Sequence, residues 1–171
     1  MNQFINILPN LCCTVTNLYA LFPIYVFYKN NMIFKASFLA FTMVASICYH
    51  LIEHHKHNMP GIGLFNDKLS HQVFLNLDRF CSLAAVIVCY NYDLVYQNGP
   101  ISRLFINQTT FILLLLSTGY AFIAETLLTP KGPFPKIILE KNYIKWIYVF
   151  THSLWHIGIF ATAHEYAKSI V

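Results

Sequence analysis

The sequence predicts an all-α fold, a multi-pass transmembrane helix bundle of about five membrane helices in a single domain over residues 1–171. Two observations lead to this class. The chain is 57% hydrophobic and only 11% charged, whereas a soluble domain carries about a quarter charged residues. Its apolar residues also come in continuous blocks, the pattern expected of helices surrounded by lipid and by one another.

Each membrane helix is predicted from a block of about 20 mostly apolar residues, the length that crosses about 30 Å of hydrocarbon. The first block has no basic segment or cleavage pattern before it, so we expect a membrane helix rather than a signal peptide. Polar or Pro/Gly-rich segments separate the blocks, with a tight turn at Lys29, Asn30 and Asn31. The five blocks run from about Phe4 to Tyr28, Met32 to Leu51, Val73 to Tyr92, Leu104 to Leu128 and Tyr143 to Tyr166.

Charge and cysteine content exclude two other classes of protein. The basic residues are scattered along the chain, so no nucleic-acid partner is predicted. They are slightly more frequent on the side of the N-terminus, which favours a cytosolic location for that side. The five cysteines lie in apolar blocks without a CxxC pair. We therefore expect small buried hydrophobic residues rather than a disulfide framework or a thiolate metal site.

A few polar side chains lie at membrane depth, where each ionisable one costs about 2.5–3.5 kcal/mol and so indicates function. Ser46 and His50 are four residues apart in SICYH, hence on one helix face. His152 and His156 are likewise four apart in HSLWH, and Asp78 lies near the start of the third helix in LNLDRF. Because the second helix runs toward the side where the third and fifth begin, all of these residues should lie in the same half of the membrane.

This residue set predicts a zinc site with His50, His152 and His156 as the metal ligands. Three imidazoles that leave one position open are typical of catalytic zinc, which lowers the pKa of bound water to about 7 and polarises a carbonyl. Asp78 is expected to act as a general base or to orient a histidine ligand. Ser46 is expected to hydrogen-bond the substrate carbonyl or the developing oxyanion.

Simpler interpretations of the same residues stand beside the metal site. Two histidines four apart often bond to a nearby carbonyl or to each other. Ser46 can bond to its own helix backbone, and Asp78 can pair with Arg79 near the membrane surface.

Further ionisable residues lie near the predicted site. A second cluster of histidines in the loop after the second helix is expected to be a solvated face at headgroup level, with a peripheral metal site as the alternative. Glu125 either lines the cavity or caps the end of the fourth helix, whereas His164 and Glu165 lie too far along the fifth helix to join. The loop cluster consists of His54, His55, His57 and His71.

SICYH, the aspartate at the start of the next helix and HSLWH together resemble the CREST superfamily of membrane metallohydrolases. That superfamily includes alkaline ceramidases, progestin and adiponectin receptors, and the myomaker and GPI-phospholipase branch. The spacing from His50 to Asp78 and the run LDRFCSLAAV resemble the last branch most closely. The resemblance implies zinc bound by three histidines, with the serine and aspartate close by. Members have seven membrane helices, whereas this chain offers about five.

The expected function is that of a zinc-dependent intramembrane hydrolase that cleaves an amide or ester bond of a membrane lipid, in an endomembrane or the plasma membrane. Its partner is then the lipid substrate, and with fewer helices a homodimer could be needed to close the pocket. The alternative is a non-catalytic, zinc-stabilised membrane receptor or membrane-remodelling and fusion protein of the myomaker type. A third interpretation assigns the histidines to a proton or ion path.

Overall fold

The computed structural model describes residues 3–52, 59, 61–62, 67–86, 88, 108–128 and 142–169. Every secondary-structure element in these ranges is helical, as predicted. A 3-10 segment, Asn17–Ala20, joins α1 to α2, and a π-helical segment, Ile123–Leu127, extends α5. The α-helices are α1 Gln3–Thr16, α2 Leu21–Lys29, α3 Ile33–Leu51, α4 Lys68–Val86, α5 Gln108–Phe122 and α6 Asn142–Ser169.

Two helical segments, Ile7–Lys29 and Ile33–Leu51, are long and apolar enough to cross a membrane. They correspond to the first two predicted spans. The predicted end of the third span at Tyr92 and the predicted start of the fourth at Leu104 lie outside the described residues, as do His54, His55 and His57 of the loop cluster.

The first predicted span is not one regular helix, because it changes to 3-10 geometry at Asn17–Ala20. Pro23 lacks an N–H and therefore cannot donate to the carbonyl one turn earlier, which weakens the α-helix at this point. Just before the break, Thr16 Oγ1 and Asn17 Nδ2 donate hydrogen bonds to the carbonyl oxygen of Cys13, at 2.9 and 3.0 Å. The break thus concentrates polar contacts on one buried carbonyl.

A tight turn after α2 reverses the chain, as predicted. Asn31 has a φ of 60°, the left-handed conformation that asparagine tolerates after a helix end. The N–H of Met32 donates to the carbonyl of Phe27 at 2.9 Å, and that of Asn30 to the carbonyl of Val26 at 3.2 Å. As a result α3 returns to the end of the bundle where α1 begins, and it carries His50 there.

The third predicted helix begins earlier than Val73, at Lys68. Asp67 caps it, since one carboxylate oxygen accepts from the Ser70 N–H at 2.8 Å and the other from Ser70 Oγ at 2.6 Å. These bonds favour the ionised carboxylate and hold the pKa of Asp67 below its usual range. The apolar block marks the expected membrane-embedded part, whereas the cap sets the start of the helix.

The last helix, α6, lies at the centre of the described packing, where it contacts α1, α2 and α5, while α3 packs against α1, α2 and α4. Gly158 of α6 lies directly against α5, and a Cβ at that position would be 2.7 Å from the Cβ of Ser117. This arrangement places the C-terminal end of α3 beside the first half of α6, so the two predicted histidine segments face each other.

Candidate metal centre

The structure brings His50, His152 and His156 together. The ring centroid of His50 is 4.9 Å from that of His152 and 5.1 Å from that of His156. The two α6 rings are 4.5 Å apart. All three residues are buried, with at most 4% of their surface exposed. The predicted meeting of one α3 histidine with two α6 histidines is therefore confirmed.

Their nitrogens are close enough together to bind a metal ion. One ligand atom from each of the three residues lies within 4.8 Å of the others. His50 Nε2 and His152 Nε2 are 3.2 Å apart. Zinc–nitrogen bonds of about 2.0–2.1 Å in a tetrahedron separate two nitrogens by about 3.3 Å. This pair needs almost no movement to share an ion, and the donor set can hold one.

The outer nitrogen of His156 is fixed by the broken first helix. Its Nδ1 lies 3.2 Å from the carbonyl oxygen of Cys13 and 3.1 Å from Thr16 Oγ1. Because a carbonyl only accepts, His156 carries its proton on Nδ1. The lone pair of His156 Nε2 is then left for a metal ion, the arrangement usual for histidine ligands.

The outer nitrogen of His152 faces a carboxylate. His152 Nδ1 lies 3.2 Å from Glu125 Oε1, and the hydroxyl of Tyr148 donates to the same oxygen at 3.3 Å. Glu125 comes from the π-helical segment after α5. Glu125 was predicted either to line the cavity or to cap the end of the fourth helix; in the structure it contacts His152 and is not among the residues that line the cavity. Sequence gave only a weak signal, a lone acid in the apolar run AFIAETLL.

Ser46 and Asp78 lie on the other side of the histidines. Both are buried, and the Ser46 side chain hydrogen-bonds the Asp78 carboxylate. Arg79 is exposed, because successive residues of α4 point in different directions. Asp78 Oδ1 is buried and has no hydrogen-bond partner among the residues that the structure describes.

A cavity of about 240 Å³ adjoins this side of the site. Ser46, Asp78 and His156 form its polar end, and from there it extends along α6 as far as Ala163. That is a distance of about 10 Å at a helical rise of about 1.5 Å per residue. Leu83 also lines the cavity and is 65% exposed, so the cavity meets the outer surface of the bundle on α4.

The other candidate residues that the structure describes lie apart from this centre. Among the described residues, the group spaced to hold a metal contains neither His71 nor His164. His71 contacts Tyr49, with tilted rings whose centroids are 5.9 Å apart. Glu165 pairs with Lys168 at 2.9 Å, and His164 contacts Phe22. The expected exclusion of His164 and Glu165 from the site therefore agrees with the structure.

The described fold and site define a helical protein with three buried histidines able to bind a metal ion. Residues 6–128 match a family described as "Protein of unknown function (DUF3522)", and the chain belongs to this family. The matched segment contains Ser46, His50, Asp78 and Glu125, and it ends before α6.

The similarity to a viral protein extends over nearly the whole chain. This chain is 26% identical over 167 residues to "Uncharacterized protein L282" of Acanthamoeba polyphaga mimivirus. The alignment covers 96% of this chain and 99% of the viral protein. No solved structure matches the chain significantly.

Proposed function

We propose that this protein is a zinc-dependent intramembrane hydrolase that cleaves an amide or ester bond of a membrane lipid. One observation carries the proposal: three buried imidazoles lie beside the hydrogen-bonded pair Ser46 and Asp78 at the polar end of an otherwise largely apolar cavity. The same residue types form the pattern on which the resemblance to the CREST superfamily rests.

A multi-pass membrane location is part of the proposal. Besides the two spans with sufficient hydropathy, large apolar side chains are exposed on the other helices, among them Phe80, Leu116 and Phe150. Soluble monomers rarely expose apolar patches of this extent. The 28-residue α6 is long enough to cross, and its histidines lower its mean hydropathy.

The ligand set favours zinc over harder cations. Magnesium and calcium prefer oxygen ligands, whereas imidazole nitrogen suits zinc. When bound by three neutral imidazoles, zinc supplies a Lewis acid and an activated water. The residues that would hold it are His50, His152 and His156.

Asp78 is the proton acceptor in this proposal. Ser46 holds its carboxylate in place, and the buried Oδ1 is not engaged by any described residue. Asp78 can therefore accept a proton from the attacking water and later deliver it to the leaving amine or alcohol. For Ser46 to contact the substrate carbonyl as well, its hydroxyl must turn away from Asp78.

The apolar part of the cavity suits the acyl chain of a lipid. Burying a methylene group contributes roughly 0.8 kcal/mol. Because Leu83 connects the cavity with the outer face of α4, a lipid can enter sideways from the bilayer. Its carbonyl group would then lie near His156 and Asp78.

The test is Asp78→Asn, with zinc content and turnover measured on the same purified protein. We expect the variant to keep its zinc, since all three histidines remain, and to lose turnover by at least about 100-fold. Zinc is measured by elemental analysis, and fatty-acid release from a panel of ceramides and phospholipids. His152→Ala is the control that should lose the metal itself.

Wild-type protein with stoichiometric zinc that releases no fatty acid from any of these lipids would overturn the hydrolase proposal. That result would favour the non-catalytic alternative, in which zinc links α3 to α6. Protein purified without zinc that transports protons in liposomes would contradict both.

A further inference from the structure

We infer that Glu125 is a positioning residue that sets the affinity of the site for its metal by holding His152 in the ligating tautomer. The inference rests on the proposed metal site. It assigns separate tasks to the two carboxylates beside the histidines, Glu125 and Asp78, and the two tasks can be measured independently.

The geometry gives Glu125 an indirect role. Its Oε1 lies 3.2 Å from His152 Nδ1, whereas His152 Nε2 faces His50 Nε2 at 3.2 Å. The two nitrogens lie on different edges of the imidazole ring, so the carboxylate is behind the ring and cannot ligate the same ion. Among the described residues, His152 Nδ1 has no aligned hydrogen-bond partner, so its contact with Glu125 is a close electrostatic one. A carboxylate at this distance favours the tautomer with the proton on Nδ1, which leaves the Nε2 lone pair to the metal.

The local helix geometry supports a dedicated position for Glu125. The N–H of Leu128 donates to the carbonyl of Ile123 at 2.9 Å, a bond between residues five apart that defines a π turn. Such wide turns are rare and recur at functional sites. This one changes the direction in which Glu125 projects relative to the preceding α5.

Tyr148 fixes the carboxylate from the other side. Its hydroxyl donates to Glu125 Oε1 at 3.3 Å, and the residue is fully buried. Tyr148 lies one turn before His152 on α6, and their ring centroids are 5.2 Å apart. The same oxygen of Glu125 is therefore held by two groups of one helix, so its position follows that of His152.

Asp78 differs from Glu125 in location. Asp78 lines the cavity with Ser46, whereas Glu125 does not line it. A change at Asp78 should act on turnover, and a change at Glu125 should act on metal affinity. The histidine tautomer and ring orientation are the physical link, since the loss of a partner behind a ligating histidine typically costs 10–100-fold in metal affinity.

The experiment measures the zinc affinity of the full chain in detergent at one fixed pH, by competition with a chromophoric chelator. Glu125→Gln is expected to bind zinc about 10–100-fold more weakly than wild type. Tyr148→Phe, which keeps the carboxylate, is expected to weaken binding less. Cobalt loading adds a spectroscopic readout, because an altered His152 changes the visible absorption of the bound ion.

Glu165→Gln is the matched control, since Glu165 is an acid on α6 whose carboxylate pairs with Lys168. It should leave zinc affinity and the cobalt spectrum unchanged. Zinc affinity and cobalt spectrum equal to wild type in Glu125→Gln would overturn the inference and leave the proposed function intact. A wild-type protein that binds no zinc would instead overturn the metal site itself. If Glu125→Gln does not fold, an unchanged zinc affinity in Tyr148→Phe contradicts the inference.

Discussion

At the scale of single residues, the carbonyl oxygen of Cys13 orients the side chain of His156, which is 143 residues away in the sequence. It accepts hydrogen bonds from Thr16 and Asn17 and lies 3.2 Å from His156 Nδ1. Thr16 uses its hydroxyl proton for this carbonyl, so its oxygen is left to accept from His156. The His156 N–H is thus shared between two acceptors of the first helix.

Thr16→Val should therefore weaken zinc binding less than Glu125→Gln, by less than about tenfold, because the Cys13 carbonyl still holds His156. The measurement is the same chelator competition at fixed pH. Thr14→Val is the matched control, since Thr14 bonds to the Asn10 carbonyl of its own helix at 2.9 Å. Equal zinc affinity in wild type and Thr16→Val would show that Thr16 does not orient His156.

Sequence reasoning could predict the three histidines, but of the groups that contact their outer nitrogens it named only Glu125, and in another role. The four-residue spacing of His152 and His156 places both on one helix face. The order of the helices implies that His50 lies near them. Cys13, Thr16 and Glu125 act through contacts between distant segments. A backbone carbonyl has no residue-type pattern at all, so only a structure can find it.

At the scale of helices, the contact between Gly158 and Ser117 sets the separation of α5 and α6. A Cβ on Gly158 would lie 2.7 Å from Ser117 Cβ and 3.3 Å from its Cα, too close for either helix to stay in place. Small residues at such a contact let two helices approach closely. The same two helices carry Glu125 and His152, so their separation also governs that contact.

Gly158→Ala should destabilise the protein by about 1–3 kcal/mol through overpacking, despite the better helix propensity of alanine. The measurement is the thermal unfolding midpoint of the purified protein in detergent. Gly119→Ala on α5 is the control, because nothing lies within 4 Å of a Cβ there. That variant should be neutral or more stable by up to about 1 kcal/mol. The packing argument fails if both variants unfold at the same temperature.

Hydropathy predicted where helices occur and missed how they begin and bend. The pattern predicted the turn before α3, but it placed the start of α4 at Val73 instead of Lys68. The capping residue Asp67 acts only on the first turn of the helix. A hydropathy average over about 20 residues therefore does not detect it. The 3-10 segment was likewise missed, although Pro23 carries a local signal for it.

At the scale of the whole molecule, a metal ion would join parts of the chain that the sequence keeps far apart. His50 and His152 are 102 residues apart in sequence and belong to different helices of the bundle. A ligand that binds only the folded state stabilises it, by about 2.7 kcal/mol at a concentration 100 times its Kd. Metal binding and bundle stability should therefore be linked.

Removal of zinc with a chelator should lower the thermal unfolding midpoint of wild-type protein, and added zinc should restore it. His50→Ala should unfold at a lower temperature that no longer depends on zinc. His164→Ala is the matched control, since His164 lies outside the cluster, and its unfolding should keep the zinc dependence. A zinc effect of equal size in His50→Ala would contradict the assignment of His50 as a ligand.

The exposed position of Leu83 at the cavity has a pharmacological consequence. If the opening faces hydrocarbon, a small molecule must dissolve in the bilayer before it can bind, and its partition coefficient multiplies its effective concentration at the opening. Apparent inhibitor potency would then vary with the ratio of lipid to water in an assay. Of two compounds that fit the cavity equally well, the one more soluble in the membrane would show the higher apparent potency.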